Sequence, residues 1–170
     1  SSDVCSSDLN NTEMKSYGFD FEAMWKDKIG ELNYSVRAAL SDDQTIITDY
    51  PNSYSNIDRF YSGQKIGNIW GYKTLGIAKT QEEMDAHLAH TNQTTIFSNW
   101  CAGDIMYEDL NKDGHIDGGK GVLGDTGDRT IIGNSYPRFR YSVDLNADWK
   151  GFDMRIFIQG VGKRDYMPNG

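Results

Sequence analysis

Residues 141–159, YSVDLNADWKGFDMRIFIQ, contain the most regular alternation of apolar and polar side chains in the chain. From Tyr141 to Trp149, apolar side chains alternate with polar ones. After Lys150-Gly151 the alternation resumes, and Phe152 starts the second apolar series. A period of two is that of a β-strand with one apolar face and one polar face. The stretch therefore predicts an antiparallel hairpin over residues 138–160.

A second stretch with the same design is YGFDFEAMWKDKIGELNYSVRAAL, residues 17–40. Its apolar side chains occupy odd positions up to Trp25 and even positions from Leu32 to Leu40, which predicts a second hairpin. In both hairpins a Trp-Lys pair stands at the turn. Each strand has about nine regularly alternating residues, the length that a tilted strand needs to cross a bilayer. The fold class expected is all-β, with antiparallel hairpins that form part of a transmembrane β-barrel.

Residues 41–137, between the two hairpins, show no sustained alternation. Short turns at one end of the strands and a long loop region at the other are the asymmetry of outer-membrane barrels, whose long loops are extracellular. Within this region Thr80 and Glu83 form a capping-box pattern ahead of Met84 and Leu88, which predicts one short helix at about 81–90. The alternative is a soluble β-sandwich, in which a second sheet covers the apolar face.

The loop DLNKDGHID, residues 109–117, has the spacing of a calcium loop, with oxygen side chains at positions 1, 3, 5 and 9 and Gly114 at position 6. Position 12 is Lys120, so Asp125 or Asp128 would have to fold back to supply the last carboxylate. The alternative is a series of Asx turns, in which the side chains bond their own backbone. The predicted cofactor is Ca²⁺. The candidate ligands are Asp109, Asn111, Asp113, His115 through its carbonyl, Asp117 and Asp128.

Three aromatic residues of the long region, Trp70, Tyr72 and Trp100, are candidates for stacking on sugar rings. The alternative for all three is ordinary structural packing. With Ca²⁺ as a brace and Trp70 or Trp100 as a platform, the soluble alternative becomes a carbohydrate-binding β-sandwich module.

Composition narrows the function classes. A formal net charge of −8 argues against a nucleic-acid partner. The chain contains no nucleophile elbow, HExxH or Cys/His constellation, so we expect no enzymatic activity. Residues 1–10 are rich in Ser and lack the basic start and apolar core of a signal peptide. We expect them to be a non-native or disordered leader, and we therefore assign Cys5, which lies within them, no structural role.

Four segments in this order resemble the C-terminal barrel portion of the SusC/RagA family of TonB-linked outer-membrane transporters, and hairpin 17–40 is similar to the strand pair that precedes them in the family. The segments are YSGQKIGNIWGYKTLGI (61–77), TQEEMDAHL (80–88), GDIMYEDLNKDGHID (103–117) and DRTIIGNSYPRFRYSVDLNADWKGFDMRIFIQGVGKRD (128–165). In the family the calcium-like loop runs almost directly into the DR pair, whereas here residues 118–127 intervene.

The resemblance implies a large barrel in the bacterial outer membrane that imports oligosaccharides or peptides, together with a SusD-like surface lipoprotein and TonB. Residues 11–170 would then be a partial barrel that does not transport alone. Apolar side chains would face membrane lipid, and polar ones would face the lumen. The expected lipid-facing set is Tyr17, Phe19, Phe21, Trp25, Leu145, Trp149, Phe152 and Ile156. The expected lumen-facing set is Glu22, Arg37, Asp144 and Arg155.

Overall fold

The computed structural model describes residues 12–168. The predicted leader, residues 1–10, and Cys5 lie outside this range. The described chain is mostly β, with antiparallel sheets and one short helix, as the periodicity predicts. The elements are β1 (Glu13–Ile29), β2 (Leu32–Asp49), β3 (Asn68–Tyr72), β4 (Thr74–Ile77), α1 (Gln81–Leu88), β5 (Ile105–Tyr107), β6 (Arg129–Asn134), β7 (Arg138–Trp149) and β8 (Phe152–Lys163).

The chain divides into two compact units. The first, called here the loop unit, contains Ile47–Gln64 and Asn68–Gly133. The second, called the sheet unit, contains Met14–Ile46, Lys65–Gly67 and the residues from Asn134 onward.

Four strands form the sheet of the sheet unit, in the order β1-β2-β7-β8. Strand β2 pairs antiparallel with β7, and β7 pairs antiparallel with β8. Val36 lies opposite Leu145, which in turn lies opposite Ile156, so one apolar row crosses three strands. Lys150 and Gly151 both have positive φ, 50° and 83°, as a two-residue hairpin turn with the twist of its strands requires. Both predicted hairpins are present.

Strands β1 and β2 extend well beyond the predicted hairpin 17–40. Strand β2 continues through the polar run after Leu40 to Asp49, a stretch assigned from the sequence to the long loop region. Cross-strand bonds accompany this extension: Tyr17 Oη donates to Gln44 Oε1 at 2.7 Å, and the Ser16 and Thr45 hydroxyls are 2.7 Å apart. The alternation ends at Leu40 because the next apolar residues of β2, Ile46 and Ile47, are adjacent and do not alternate, while the strand continues.

The apolar face of the sheet remains exposed. Phe21 is 60% exposed and Phe152 is 75% exposed, although both lie within regular strands. The buried apolar side chains of the described residues all belong to the loop unit: Ile47, Ile57, Tyr61, Ala78, Met84 and Ile116. The core therefore lies in the loop unit, and the sheet unit presents a large apolar surface of the kind that marks an interaction site.

In the loop unit β3 pairs with β6 and β4 pairs with β5. Helix α1 lies between β4 and β5 in sequence. The helix begins as predicted: Thr80 Oγ1 accepts from the Glu83 N–H at 3.3 Å, while Glu83 Oε2 accepts from the Lys79 N–H at 2.8 Å. Met84 is fully buried and fixes the inner side of the helix. Within residues 12–168 no helix has both the length and the apolar character needed to span a membrane.

Candidate functional site

The loop that begins at Asp109 is folded by its own side chains. Asp109 Oδ1 accepts from the Lys112 N–H at 2.6 Å, and Asp109 Oδ2 accepts from the Gly114 N–H at 2.8 Å. Lys112 and Gly114 both have positive φ, so the chain turns sharply at the position where a calcium loop needs its glycine. Asp109 thus spans the whole turn with one carboxylate.

Three further side chains of the loop make the same local bond, in which the side chain accepts from the backbone N–H two residues later. These pairs are Asn111 with Asp113 at 2.9 Å, Asp113 with His115 at 2.8 Å, and Asp117 with Gly119 at 2.7 Å. They are Asx turns, the alternative structure considered from the sequence. The bond from the His115 N–H, with one from the Asn111 side chain, lowers the pKa of Asp113.

Asp128 is the carboxylate that closes the loop from outside. Its side chain is fully buried, and its Oδ1 accepts from the Leu110 N–H at 2.8 Å and, over a longer distance of 3.4 Å, from the Asn111 N–H. Its Oδ2 accepts from the Asp117 N–H at 3.0 Å. One buried carboxylate therefore joins both ends of the loop, since backbone N–H donors compensate for its lost hydration.

The Gly-rich residues 118–127 form an excursion that leaves the loop and returns to it. The Asp128 N–H donates to the Asp117 carbonyl at 2.9 Å, so residues eleven apart in sequence become direct neighbours. At Gly127 an added Cβ would lie 2.4 Å from the Asp117 carbonyl oxygen, and at Gly119 it would lie 2.5 Å from the Gly127 N. This close approach excludes side chains. The excursion thus returns the chain to the loop and places Asp128 against both of its ends.

At least one side-chain oxygen of each of Asp109, Asn111, Asp113, Asp117 and Asp128 accepts from a backbone N–H group. Residues 12–168 contain no group of three or more His, Cys, Asp or Glu side chains placed to hold a metal ion. Asp109, Asn111, Asp113, His115, Asp117 and Asp128 do lie together around one loop, but they do not form a cation cage. Calcium binding at this loop stays a prediction.

The three aromatic candidates are half-buried. Trp100 and Tyr72 both pack edge-on against Tyr107, with ring centroids 6.1 and 5.7 Å away. This geometry is that of structural packing, and burial raises the pKa of Tyr72. Trp70 packs against Tyr61 at 6.5 Å and also lines an open cleft of about 440 Å³ in the loop unit.

On the sheet, the predicted polar face forms a network of opposite charges. Arg37 pairs with Glu22 at 2.9 Å, and Arg155 pairs with Asp144 at 2.6 Å. Arg37 and Asp144 are directly opposite in the β2–β7 register, so the four side chains share one face. The separation of the polar set from the apolar set, inferred from alternation, is confirmed in the register.

A charged cluster that sequence reasoning missed lies where β2 and β7 continue past their apolar rows. Arg138 donates two bonds to the largely buried carboxylate of Asp42, and this pairing lowers the pKa of Asp42. Next to it, Arg140 contacts Asp43, which also accepts from the Tyr136 hydroxyl at 2.5 Å. The partners are more than 90 residues apart in sequence, so no local pattern signals them.

No protein-family model matches this chain, and no curated protein matches it either.

Proposed function

We propose that the chain is part of the barrel wall and extracellular loops of a TonB-dependent transporter of the SusC/RagA type. The intact transporter would act in the bacterial outer membrane and import oligosaccharides or peptides with a SusD-like lipoprotein. The observation that carries the proposal is an antiparallel sheet whose apolar side chains are exposed on one face while charged pairs cover the other. A strand in a large barrel has lipid on one side and a wet lumen on the other, and so needs both faces.

Strand length supports the same assignment. Strand β7 has 12 residues, Arg138–Trp149, and its apolar row ends at Trp149. At a rise of about 3.3 Å per residue and a tilt of about 45°, the strand covers roughly 28 Å along the membrane normal, enough to cross an apolar band of about 25 Å. Trp149 is half exposed at the turn end of this row, with the Lys150 ammonium 5.5 Å from its ring centroid. An aromatic ring beside a cation is the arrangement expected at a membrane interface.

The second candidate is a soluble carbohydrate-binding β-sandwich braced by the Asp109–Asp117 loop. A sandwich requires a second sheet over the apolar face. Exposure of Phe21 and Phe152 favours the transporter over the sandwich. The open cleft beside Trp70 is the feature that favours a sugar-binding module.

Solution behaviour of the 170-residue chain separates the two candidates. For the barrel piece we expect aggregation without detergent, because β1 and β8 are long edge strands with unpaired backbone groups. A monodisperse monomer that melts cooperatively in plain buffer would contradict the transporter assignment and support the sandwich.

The orientation of the strands is tested in the full-length transporter with two variants of β7. Leu145→Arg places a charge in the middle of the apolar row, and Ser142→Arg places the same charge on the polar face, opposite Gln159. We expect Leu145→Arg to cost roughly 2–4 kcal/mol of folding free energy in the membrane and Ser142→Arg much less. Equal amounts of both variants in the outer-membrane fraction would refute the lipid-facing assignment.

Calcium is tested separately, by calorimetric titration of Ca²⁺ into the intact protein with Asp113→Ala as the control. Saturable binding that the substitution removes would confirm the predicted cofactor. Absence of binding would leave the loop as a brace closed by Asp128 alone.

A further inference from the structure

The apolar face of the sheet carries an open cleft near the two hairpin turns. Its lining side chains belong to β2, β7 and β8 and are all apolar: Leu32, Ala147, Trp149, Phe152 and Met154. The volume of the cleft is about 310 Å³, at the lower end of the size range of small-molecule sites. We call it the turn-end cleft.

The turn-end cleft forms where a small residue stands among larger ones. Alternate residues of a strand share a face, so Ala147 lies between Leu145 and Trp149 along β7. Across the sheet it lies opposite Tyr34 on one side and Met154 on the other. A methyl group surrounded by four larger side chains leaves a depression. Trp149 and Met154, which border the depression, are each more than half exposed, so it is open to the surroundings.

An ion pair stands beside the turn-end cleft. Lys150 Nζ lies 3.0 Å from Glu31 Oε2 and 5.5 Å from the centroid of the Trp149 ring, so the pair borders the wall that Trp149 provides. Both charged side chains are more than half exposed. An exposed pair adds little to stability, because water solvates both charges and ordering two long side chains costs entropy. A ligand that brings one charge of each sign can therefore separate the pair at small cost.

We propose that the turn-end cleft binds a phospholipid with a zwitterionic ethanolamine headgroup. This inference rests on the proposed function, in which the apolar face of the sheet lies against lipid. One acyl chain lies over Ala147, where it buries apolar surface. The headgroup phosphate accepts from the Lys150 ammonium, and the headgroup ammonium donates to the Glu31 carboxylate. Along β7 and its turn, the order Ala147, Trp149, Lys150 matches the order of acyl chain, glycerol backbone and headgroup, with the indole at the interface.

The choice of headgroup follows from charge. The two turns, residues 26–31 and 148–153, contain three lysines against four aspartates and glutamates. This balance offers no excess of positive charge to an anionic headgroup such as that of phosphatidylglycerol. Of the zwitterionic headgroups, ethanolamine has N–H donors for the Glu31 carboxylate, whereas the choline nitrogen is fully methylated and donates nothing. The ion pair therefore fits an ethanolamine headgroup best.

The test measures tryptophan fluorescence of the full chain in detergent micelles to which a brominated phospholipid is added. Bromine on an acyl chain quenches an indole that the chain touches. Three lipids with the same brominated chains carry an ethanolamine, a choline or a glycerol headgroup, so only the headgroup differs. The part of the quenching that Trp149→Phe removes reports on the turn-end cleft. We expect that part to reach half its maximum at an about fivefold lower mole fraction of the ethanolamine lipid than of the other two.

Matched variants separate the headgroup contacts from the acyl-chain contact. Glu31→Gln and Lys150→Gln each remove one charge and should abolish the preference for ethanolamine. Ala147→Leu fills the depression and should weaken the binding of all three lipids. Ala38→Leu adds the same side chain to the apolar face outside the cleft and should leave binding unchanged. Far-ultraviolet circular dichroism reports whether each variant keeps its strands, and the two charge variants, in exposed turns, test the proposal even if Ala147→Leu loses them.

Several results would overturn the proposal. These are equal binding of the three lipids by wild type, tighter binding of the choline or glycerol lipid, a preference for ethanolamine that survives either charge substitution, or equal effects of Ala147→Leu and Ala38→Leu. Failure here is distinguishable from failure of the transporter assignment. Equal quenching of Trp149 by the three lipids refutes the headgroup site alone. If none of the lipids quenches Trp149, the apolar face does not lie against lipid, and the transporter assignment fails as well.

Discussion

Replacing Asp128 should destabilise the loop unit more than replacing any single carboxylate within the Asp109–Asp117 loop. The side chain is fully buried and accepts well-formed bonds from the Leu110 N–H at 2.8 Å and the Asp117 N–H at 3.0 Å. Asp128→Ala leaves both donors without a partner, and each orphaned buried donor costs about 1–3 kcal/mol. Water that enters the vacated space can bond these donors and so offsets part of this free-energy cost. We expect a loss of roughly 2–4 kcal/mol.

Asp128→Asn should have an intermediate effect. Its amide oxygen can keep the bond from Leu110, but its amide NH₂ then faces the Asp117 N–H, so one of the two good bonds is lost. The expected cost is roughly 1–2 kcal/mol, about half that of the alanine variant. Asp125→Asn is the matched control, because Asp125 is partly exposed and its ion pair with Lys120, at 3.5 Å, is worth at most about 1 kcal/mol.

Amide hydrogen exchange measures these effects best, because the chain has two units and a global melt need not report the local change. The amides of Leu110, Asn111 and Asp117 should be most protected in wild type, less protected in Asp128→Asn and least protected in Asp128→Ala. The role assigned to Asp128 would be wrong if the free energy of exchange at these amides in Asp128→Ala were within about 0.5 kcal/mol of wild type, or if Asp125→Asn had the larger effect.

Three further predictions follow from packing and charge. Met84→Ala should lower the stability of the loop unit by about 2–5 kcal/mol, as measured by exchange, because Met84 is fully buried. Gly160→Ala should cost about 1–3 kcal/mol in detergent, since its Cβ would lie 2.5 Å from the Tyr141 hydroxyl. In a Tyr141→Ala background most of that cost should disappear, and equal costs in both backgrounds would contradict the contact. The lowered pKa of Asp42 means that its bond with Arg138 stabilises the fold above about pH 4 and is lost as the pH falls through the lowered pKa. Unfolding midpoints from about pH 6 to pH 2 should therefore fall less steeply in Arg138→Met than in wild type, and identical slopes would contradict the pairing.

Local patterns predicted the two hairpins and the short helix, but not the short strands β3 to β6 of the long loop region. The two alternating stretches are the hairpins, and their polar and apolar sets lie on opposite faces, as Arg37 opposite Asp144 shows. Thr80 caps the one short helix as its pattern indicates. These features depend on residues a few positions apart, so a sequence alone contains their signal. Strand β2 starts at the predicted Leu32 but ends at Asp49 instead of Leu40, because the residues beyond Leu40 show no apolar alternation.

Alternation of apolar and polar residues is therefore enough to predict the all-β class and the two faces of the strands, whereas the spacing of Asp109, Asn111 and Asp113 is compatible with both a calcium loop and Asx turns. Only the tertiary structure decided that β2 lies beside β7, that Arg138 reaches Asp42, and that Asp128 closes a loop from which it is separated by the Gly-rich excursion. Local sequence patterns do not signal these contacts, because two distant residues form a hydrogen bond only when the folded chain brings them next to each other. Glycines such as Gly127 permit that return by allowing close approach, but they do not specify its partner.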